Sequence, residues 1–395
     1  MATSNCRVDA YLEGFEIQSI RDWLWNHRAA FSHPTIDLAM VFVSPDFAEH
    51  SGLLLSLIHD EINPKQVIGC SSPSLVSNDR ELENTSGFTI GLFHLPDTVL
   101  KTIRFDQREI EHADSSSYWC DRLSTDSSNG WIVFADPFHM NLDTWLKQWN
   151  QALPGIPILG GLASGRPGVH QTELYLQDQV FTQGGVGLCL EGKTRIQNVI
   201  SQGCTPIGEP WIITKSSDNV LEEIGNRPAY QVLLETVNEL PKNLVQEVQG
   251  NLFLGLVTNE YAEDFNRGDF LVRNLLGADP DSGRLSVGAL PRLGQTVQFQ
   301  LRSPNAADED LKSLLREARL KTKTERVLGG LLCTCNGRGQ RLFGAPHHDA
   351  QEIINAFGSI GLIGFFCNGE LGPVGNQNYL HGYTASLALF TAPAD

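Results

Sequence analysis

The hydrophobic pattern uses one unit three times: an apolar strand, an amphipathic helix, a second apolar strand and a cluster of glycines. The strand segments are, in chain order, Leu38–Val43 with Val67–Ser72, Trp131–Phe134 with Pro157–Gly165, and Leu331–Cys335 with Leu362–Glu370. Each unit predicts a βαβ crossover with parallel strands. Ligands of α/β sheets collect beyond the carboxyl ends of strands, so we expect a binding site near these glycines.

The remaining pattern predicts antiparallel strands and further helices. Short apolar segments separated by glycine-containing turns predict strands at 173–176, 185–190, 196–201, 211–214, 252–258, 270–275, 284–287, 296–301 and 384–390. A helix is predicted within residues 1–30, with Ile20, Leu24 and Trp25 on one face, and the polar residues 105–129 predict a flexible surface loop. Together these elements indicate an α+β or mixed α/β fold, with mixed sheets flanked by helices.

The chain length indicates two domains. At 395 residues the chain is too long for one ordinary core. A new helix is predicted to begin at Arg227-Pro228, after the last short strand of the first half. We place the boundary just before it, so that residues 1–225 form the first domain and residues 226–395 the second.

Composition and charge narrow the class of protein. The formal net charge of −17 argues against nucleic acid and anionic membranes as partners. No apolar run is long enough to span a membrane, and Met1–Asn5 lacks the pattern of a secretory signal. The eight cysteines show no spacing typical of a disulfide framework, so we expect a reduced, cytoplasmic protein.

Two loops at the end of the third crossover carry candidate ligand-binding groups. Gly337 and Gly339 flank Arg338 directly after the strand that ends at Cys335. Backbone N–H groups of such a loop and the guanidinium fork suit a carboxylate, although the same pattern also fits a tight turn with a solvated arginine.

The second loop lies beyond the neighbouring strand. Glu370 follows Gly369 there, and its carboxylate suits an amine or a cation. Paired with Arg338, it predicts a two-point grip on a zwitterion, with Phe365 or Phe366 against the apolar part of the ligand. The alternative is a glutamate that is simply solvated.

The first crossover ends in Cys70, Ser71 and Ser72, which can donate hydrogen bonds to a ligand. A hydrolase or transferase that uses Cys70 or Cys335 as nucleophile is a weaker alternative, because no G-x-S-x-G elbow is present. Close packing of a strand end is the structural alternative.

Two further positions are candidates. Arg273 and Asn274 stand late in an apolar strand, where an arginine is either paired with a carboxylate or lies at the rim of a site. His381 precedes the last strand and is either a rim residue or one axial haem ligand. No metal motif and no C-x-x-C-H haem attachment site occur in the sequence, so no cofactor is expected apart from that haem alternative.

Several of these segments, in this order, resemble the FIST family, whose modules consist of FIST-N and FIST-C domains. The matching segments are Val67–Ser72, Val272–Gly277, Cys335–Gly339, Gly364–Leu371 and His381–Thr384. The resemblance implies a sensory module that binds a small ligand, usually suggested to be an amino acid, and that signals through a fused or partner protein. It also implies two variants: haem-containing nitric-oxide sensors, and F-box proteins of ubiquitin ligases. We expect a standalone protein here, because the chain shows no kinase, cyclase or F-box segment.

These inferences combine into one expectation. The chain is expected to be a non-enzymatic, cytoplasmic sensor that acts in signal transduction through a downstream protein. Arg338 or Arg273 would bind the carboxylate of its ligand and Glu370 the amine. The resemblance also implies a reactive or regulatory thiol at Cys335, with a pKa lowered by Arg338 if the two are close. A haem-dependent gas sensor that uses His381, and an interaction scaffold without a ligand, are the two alternatives.

Overall fold

The computed structural model describes residues 4–113, 116–123 and 127–394. Its strands are β1 (Cys6–Tyr11), β2 (Leu38–Val43), β3 (Gln66–Ser71), β4 (Leu75–Ser77), β5 (Arg80–Leu82), β6 (Phe88–Phe93), β7 (Thr98–Phe105), β8 (Ser128–Ala135), β9 (Ile158–Leu162), β10 (Leu174–Leu176), β11 (Gln179–Phe181), β12 (Gly185–Gly192), β13 (Arg195–Ser201), β14 (Cys204–Ser217), β15 (Val220–Ile224), β16 (Arg227–Pro228), β17 (Leu252–Val257), β18 (Phe270–Asp279), β19 (Arg284–Val287), β20 (Thr296–Arg302), β21 (Glu325–Cys335), β22 (Leu362–Cys367), β23 (Glu370–Val374), β24 (Gln377–His381) and β25 (Ala385–Pro393). Its helices are α1 (Ile17–Ala29), α2 (Ser51–Ile62), α3 (Gln107–His112), α4 (Ser116–Leu123), α5 (Leu142–Ala152), α6 (Ala229–Asn238), α7 (Lys242–Val245), α8 (Pro304–Lys321), α9 (Gln340–Phe343) and α10 (His348–Phe357), with a 3₁₀ helix at Pro45–His50.

All three predicted crossovers are confirmed. The pairs β2/β3, β8/β9 and β21/β22 are parallel, while the other strand pairs with a determined register are antiparallel. Helices α2, α5 and α10 connect the strands of these pairs. The strands of each parallel pair consist almost wholly of buried apolar residues, as expected where helices cover one face and a second layer covers the other.

The three crossovers belong to three sheets with one common strand order. The orders are β1-β6-β2-β3-β10-β11, β7-β12-β8-β9-β23-β24 and β13-β25-β21-β22-β4-β5. In each of these three sheets, the strand that precedes the crossover in the chain (β1, β7 or β13) lies at one edge. After the crossover the chain forms a two-stranded hairpin and then one more strand (β6, β12 or β25), which lies between the edge strand and the crossover pair. The chain therefore contains three structural repeats of one unit.

The hairpins are exchanged among the repeats. The hairpin β4-β5 of the first repeat pairs with β22 of the third, β10-β11 of the second pairs with β3 of the first, and β23-β24 of the third pairs with β9 of the second. Each sheet is thus completed by chain from another repeat, and the exchange closes in a cycle.

Two compact units result, and both are made of more than one segment. The first contains residues 1–200, 312–380 and 384–395, which include all three repeats; the second contains residues 201–311 with 381–383. The second unit is thus inserted in the third repeat, after its edge strand β13 and ahead of β21. The predicted boundary at residue 225 divides the chain into two contiguous segments, whereas each of these units combines more than one segment. The predicted boundary stays a prediction.

The second unit is an antiparallel barrel. Its strands follow the order β14-β20-β17-β18-β19-β15-β16, and β14 also pairs with β15, which closes six strands into a ring. The inward side chains form one apolar cluster that includes Leu254, Leu285 and Phe299, and α6 packs on it through Val232. Closure leaves no unpaired edge among the six strands of the ring.

One glycine inside the second crossover strand sets the close approach of the parallel pair in each repeat. A Cβ atom would lie 1.7 Å from the Val41 carbonyl oxygen if added to Gly69, 2.0 Å from that of Val133 if added to Gly160, and 1.9 Å from that of Leu332 if added to Gly364. Glycine is therefore required at the same structural position, inside the second crossover strand, in all three repeats.

Some local predictions were wrong. Trp25 is 60% exposed, and His27 instead shares the buried face of α1 with Ile20 and Leu24. Residues 105–129 contain α3 and α4 where a loop was predicted; residues 114–115 and 124–126 of that segment lie outside the described residues. In the part of the chain that the structure describes, no helix combines the length and apolar character needed to cross a membrane.

Candidate functional site

The connections that follow the second crossover strands of the three repeats meet at one point. The hydroxyls of Ser72 and Ser164 both donate to the Phe366 carbonyl oxygen, at 2.8 and 2.6 Å. The Ser71 hydroxyl donates to the Ser164 carbonyl oxygen at 3.0 Å, and the Asn368 side chain donates to that of Ala163 at 3.2 Å. The three predicted strand-end clusters therefore form one hydrogen-bonded centre, in which Ser71 and Ser72 already have protein partners.

Arg338 is fully buried in an ion pair. Its Nε and Nη2 atoms donate to the two carboxylate oxygens of Asp349 at 2.7 and 2.9 Å, and the Phe343 ring lies 5.3 Å from the guanidinium carbon. Thr334 and His348 also hydrogen bond to the Asp349 carboxylate. Despite complete burial, Arg338 holds the pKa of Asp349 well below its ordinary value. The Nε and Nη2 donors of Arg338, which were predicted to bind a ligand carboxylate, thus bind the carboxylate of Asp349.

The Glu83 carboxylate lies against the end of the glycine loop around Arg338. A Cβ atom at Gly339 would lie 2.6 Å from the Glu83 carboxylate, and the next backbone N–H, of Gln340, donates to the same carboxylate at 2.7 Å. Gly339 has a φ of 63°, which glycine adopts without strain. A carboxylate of the protein itself thus occupies the space beside Gly339, and anion binding by the N–H groups of Gly337–Gly339 stays a prediction.

Glu370 lies on the opposite face of the sheet from Arg338. Its carboxylate accepts from the Cys367 thiol at 3.2 Å and from the Thr384 backbone N–H at 3.0 Å. Successive side chains of a strand point to opposite faces, so Cys367 and Phe366 are on different sides of β22. Phe366 lies on the side of Gly339, against which its ring packs. The two-point grip of Arg338 and Glu370 on one ligand is therefore not formed.

Arg273 and Asn274 belong to the barrel unit. Arg273 donates to the carbonyl oxygen of Val272 at 3.0 Å, and Asn274 accepts a hydrogen bond from the Tyr383 hydroxyl. The Arg302 guanidinium lies over the Tyr383 ring, 5.0 Å from its centre. These contacts form a polar cluster on the barrel, whose role in ligand binding stays a prediction.

The predicted thiols differ in environment. Cys70 is fully buried, and burial raises the pKa of its thiol well above the ordinary value, which opposes formation of a nucleophilic thiolate. Cys335 is partly exposed, and its sulfur accepts a hydrogen bond from the Gly337 N–H at 3.4 Å. No group of three metal-ligating side chains occurs in the described ranges.

A cavity of about 250 Å³ lies at the carboxyl ends of β2, β3 and β9. Its wall is formed by the 3₁₀ helix that follows β2, by the end of β3, and by the connection from β9 to β10. The lining residues are Pro45, Ala48, Glu49, Ser71, Gly165, Arg166, Val169, Gln171, Thr172 and Glu173. Ser71 alone of the predicted site residues lines it. Because the cavity lies where βαβ units place their ligands, it is the candidate site.

Glu173 is a buried carboxylate without a cationic partner among the described residues. It is 9% exposed, and the hydroxyls of Ser51 and Tyr175 both donate to its Oε2 atom, at 2.6 and 2.9 Å. Burial and the negative charge of Glu173 raise the pKa of Tyr175, so that hydroxyl keeps its proton and remains a donor. The Glu173 N–H donates to the Ser71 hydroxyl at 2.9 Å, which links the carboxylate to the three-repeat centre.

Arg166 supplies the opposite charge in the same cavity. Its guanidinium forms a 2.7 Å ion pair with Asp46, and the two side chains are 62% and 55% exposed. An exposed pair of this kind contributes little to stability, about 0–1 kcal/mol at most, so Arg166 can exchange Asp46 for a ligand carboxylate at small cost. The adjoining Gly165 permits the close fold of the wall, since a Cβ atom there would lie 2.4 Å from the Gln171 carbonyl oxygen.

The cavity has none of the side chains that bind haem iron, because its lining contains no His, Cys, Met or Tyr. His381, the predicted axial ligand, is 3% exposed and does not line this cavity. A haem on His381 therefore stays a prediction, which a visible absorption spectrum of the purified protein can check.

Comparison with known proteins identifies the family of this chain. The model of the FIST N domain matches residues 37–227, and that of the FIST C domain matches residues 229–373. The chain belongs to the FIST family. FIST domains are sensory, ligand-binding modules of signalling rather than catalytic ones.

Two similar proteins from mycobacteria match this chain over most of their length, and a plant protein matches it over a smaller part. An uncharacterized protein of Mycobacterium tuberculosis strain H37Rv is 38% identical over 353 residues, which are 89% of this chain and 91% of the relative. One from Mycobacterium bovis is 35% identical over 354 residues, 89% of this chain and 90% of the relative. An F-box/LRR-repeat protein of Arabidopsis thaliana is 26% identical over 176 residues, 39% of this chain and 32% of that protein.

Sequence reasoning missed Arg166 and Glu173, two of the three charged residues that line the cavity; the third, Glu49, is exposed. Arg166 directly follows the glycine cluster of the second repeat, near which a binding site was expected, so a signal for it was present. Glu173 has no such signal, since nothing local distinguishes a buried glutamate at a strand start from a solvated one. Its burial depends on Ser51 and Tyr175, which only the fold brings together.

A second buried carboxylate, Glu81, lies beside the Arg338 ion pair of this FIST protein. Its Oε1 accepts from the Ala350 N–H at 3.0 Å, and its Oε2 is buried without a hydrogen-bond partner among the described residues. Burial, and then the negative charge of Asp349, raise the pKa of Glu81 to about 7. The folded protein thus holds this proton at pH values where an ordinary glutamate has lost it.

Glu81→Gln is expected to stabilise the protein at alkaline pH. For a carboxyl whose pKa is raised on folding, the stabilising contribution is full below the unfolded value of 4.5 and is lost as pH rises through about 7. The variant should therefore gain as much as about 3 kcal/mol at pH 8 and little at pH 4.5. Urea unfolding of both proteins at the two pH values measures this difference. His27 contributes the opposite slope, since burial lowers its pKa to about 4, but it does so equally in both proteins. Equal gains at both pH values would contradict the prediction.

Proposed function

We propose that this chain is a non-enzymatic, cytoplasmic sensor that binds a small zwitterion of the amino-acid class in the cavity between Glu173 and Arg166. The proposal rests on the buried carboxylate of Glu173 at the cavity wall, which forms no ion pair with a cation among the residues that the structure describes. An uncompensated buried charge is costly, and the ammonium group of a ligand offsets that cost by binding at Oε1. Arg166 then binds the ligand carboxylate, and Val169 and Pro45 contact its apolar part.

The position of the cavity supports a sensory role. Ser71 belongs both to the cavity wall and to the centre where the connections of the three repeats meet. A ligand that tightens this wall acts on a point common to all three sheets of the first unit. The ligand-bound form then presents an altered surface to a downstream signalling protein, which is the output expected of a module without catalysis.

Thermal-shift measurements with the twenty amino acids test the ligand class. A ligand present at one hundred times its dissociation constant stabilises the folded state by about 2.7 kcal/mol, which raises Tm by about 5 °C in a unit of this size. We expect such a shift with at least one amino acid, and its loss in Glu173→Gln and in Arg166→Ala. Arg108→Ala, an exposed arginine of α3 outside the cavity, is the matched control and should retain the shift.

Calorimetry and the thermal-shift results together distinguish binding in this cavity from binding at another site. Calorimetric titration of the stabilising amino acid should give one site per chain and no heat with Glu173→Gln. If no amino acid shifts Tm at 10 mM, the amino-acid proposal fails. If the shift persists in both cavity variants, the ligand binds elsewhere, and the polar cluster at Arg273 and Asn274 becomes the next candidate.

A further inference from the structure

A groove of about 690 Å³ runs between the carboxyl-terminal end of α8 and that of α10, in the first unit. We name it the basic groove, and it is lined chiefly by Arg316, Arg319, Leu320, Lys323, Ala356 and Phe357. Leu320 is 72% exposed, and Ala356 and Phe357 are partly exposed. A large aliphatic side chain at this exposure, beside a partly exposed aromatic ring, gives the groove an apolar floor in contact with water.

The rim of the basic groove has the opposite charge to the protein as a whole. Residues 312–326 contain six lysines and arginines and two glutamates, whereas the whole chain carries −17. Arg316 and Lys323 are exposed and have no carboxylate partner among the described residues. Arg319 donates to the Ala356 carbonyl oxygen and thereby holds the two helix ends together. The basic groove is therefore a local positive region with two cations available for a partner.

From this combination we propose that the basic groove binds an acidic peptide segment of a partner protein, with one or two large apolar side chains as anchors. The cations at the rim pair with the carboxylates of the segment and set its orientation, and its anchor covers Leu320 and Phe357. Docking of an amphipathic segment into a groove of this kind is a common recognition mode. Nucleic acid does not fit, because the floor of the groove is apolar and the rest of the chain is acidic.

This inference goes beyond the proposed sensor function and does not depend on it. The basic groove is formed by the third repeat, whereas the ligand cavity is formed by residues of the first two. Failure of amino-acid binding therefore leaves the docking proposal intact, and the reverse also holds. If both are correct, the basic groove is a surface through which the sensor contacts its downstream protein.

Selection from a phage-displayed library of random dodecapeptides tests the proposal. The intact chain is the target, and the variant Arg316→Glu/Leu320→Asp/Lys323→Glu removes peptides that bind elsewhere. We expect the selected peptides to be enriched in Asp and Glu and to carry Leu, Phe, Trp or Met. A fluorescein-labelled copy of the leading peptide then gives dissociation constants by anisotropy.

Single variants assign the binding to the groove. Arg316→Glu, Lys323→Glu and Leu320→Ala should each weaken peptide binding at least tenfold. The matched controls are Leu290→Ala, which is also 72% exposed, and Lys147→Glu, which is exposed on α5; both should bind as the parent does. Selected peptides without acidic enrichment, or binding unchanged by the groove variants, would overturn the proposal.

Two other occupants are separated by direct measurements. If a second copy of this chain fills the groove, the protein sediments as a dimer and Leu320→Asp sediments as a monomer. If a membrane surface fills it, the protein pellets with vesicles of phosphatidylcholine and phosphatidylserine and Lys323→Glu does not. Either result would replace the peptide proposal. We expect a monomer that stays in the supernatant.

Discussion

Replacing Gly69, Gly160 or Gly364 by alanine is expected to cost at least about 4 kcal/mol of unfolding free energy at each position. The added Cβ atom would lie within 2.0 Å of a backbone carbonyl oxygen on the neighbouring strand in all three cases. A backbone atom of a central strand cannot swing away as a flexible side chain does, so the parallel strands must separate. Soluble yield and urea unfolding measure the effect, and we expect little soluble protein from any of the three variants.

Gly52→Ala provides the matched control. Gly52 is exposed in α2, and nothing lies within 4 Å of an added Cβ atom. Alanine favours a helix over glycine by about 0.5–1 kcal/mol, so this variant should be more stable than the parent. Normal stability in any of the three strand variants would show that the parallel strands are further apart than described here.

Removal of one member of the buried ion pair is the second large effect. Asp349→Ala is expected to lower the unfolding free energy by about 3–5 kcal/mol, because it leaves the fully buried Arg338 without a counter-charge. Chemical denaturation at pH 7 measures the loss. The double variant Arg338→Met/Asp349→Leu should recover most of it, since replacing a buried pair by apolar side chains of similar volume is often close to neutral.

An exposed pair is the control for this experiment. Lys193 and Asp97 lie 2.7 Å apart at the surface, each 65% exposed. Asp97→Asn removes the charge, suits the positive φ of 53° at this position, and should change stability only marginally. If the double variant is no more stable than Asp349→Ala, the hydrogen bonds of the ion pair are needed to pack α10, and neutralising both charges is not enough. A single variant as stable as the parent would contradict the buried pair itself.

The crossovers were predictable because each is a local pattern. An apolar strand, an amphipathic helix and a second apolar strand lie within 35 to 40 residues, and helix and strand periodicities identify them. The exchange of hairpins was not predictable in the same way. The short strand at residues 75–77 was not predicted, and no local pattern shows that its partner is β22, almost three hundred residues later.

The same contrast between local sequence patterns and distant contacts applies to the candidate site. The composition of the loop at Gly337–Gly339 suited an anion clamp or a tight turn, and the next residue, Gln340, donates its N–H to a carboxylate. That carboxylate belongs to Glu83, which lies more than two hundred and fifty residues away in the sequence and gives no local signal. A motif thus indicates what a loop can bind, whereas the fold decides whether the protein itself already supplies that group.

The cyclic exchange of hairpins has a consequence for biosynthesis. As the chain leaves the ribosome, β4 and β5 are made early, but their partner β22 is not complete until Cys367 has been added. Until then the nascent chain carries a hairpin without its sheet, and such an unpaired edge invites pairing with other chains. Closure of the cycle is therefore a late step that joins segments far apart in sequence, and protection of the nascent hairpin by a chaperone would raise the yield of folded protein.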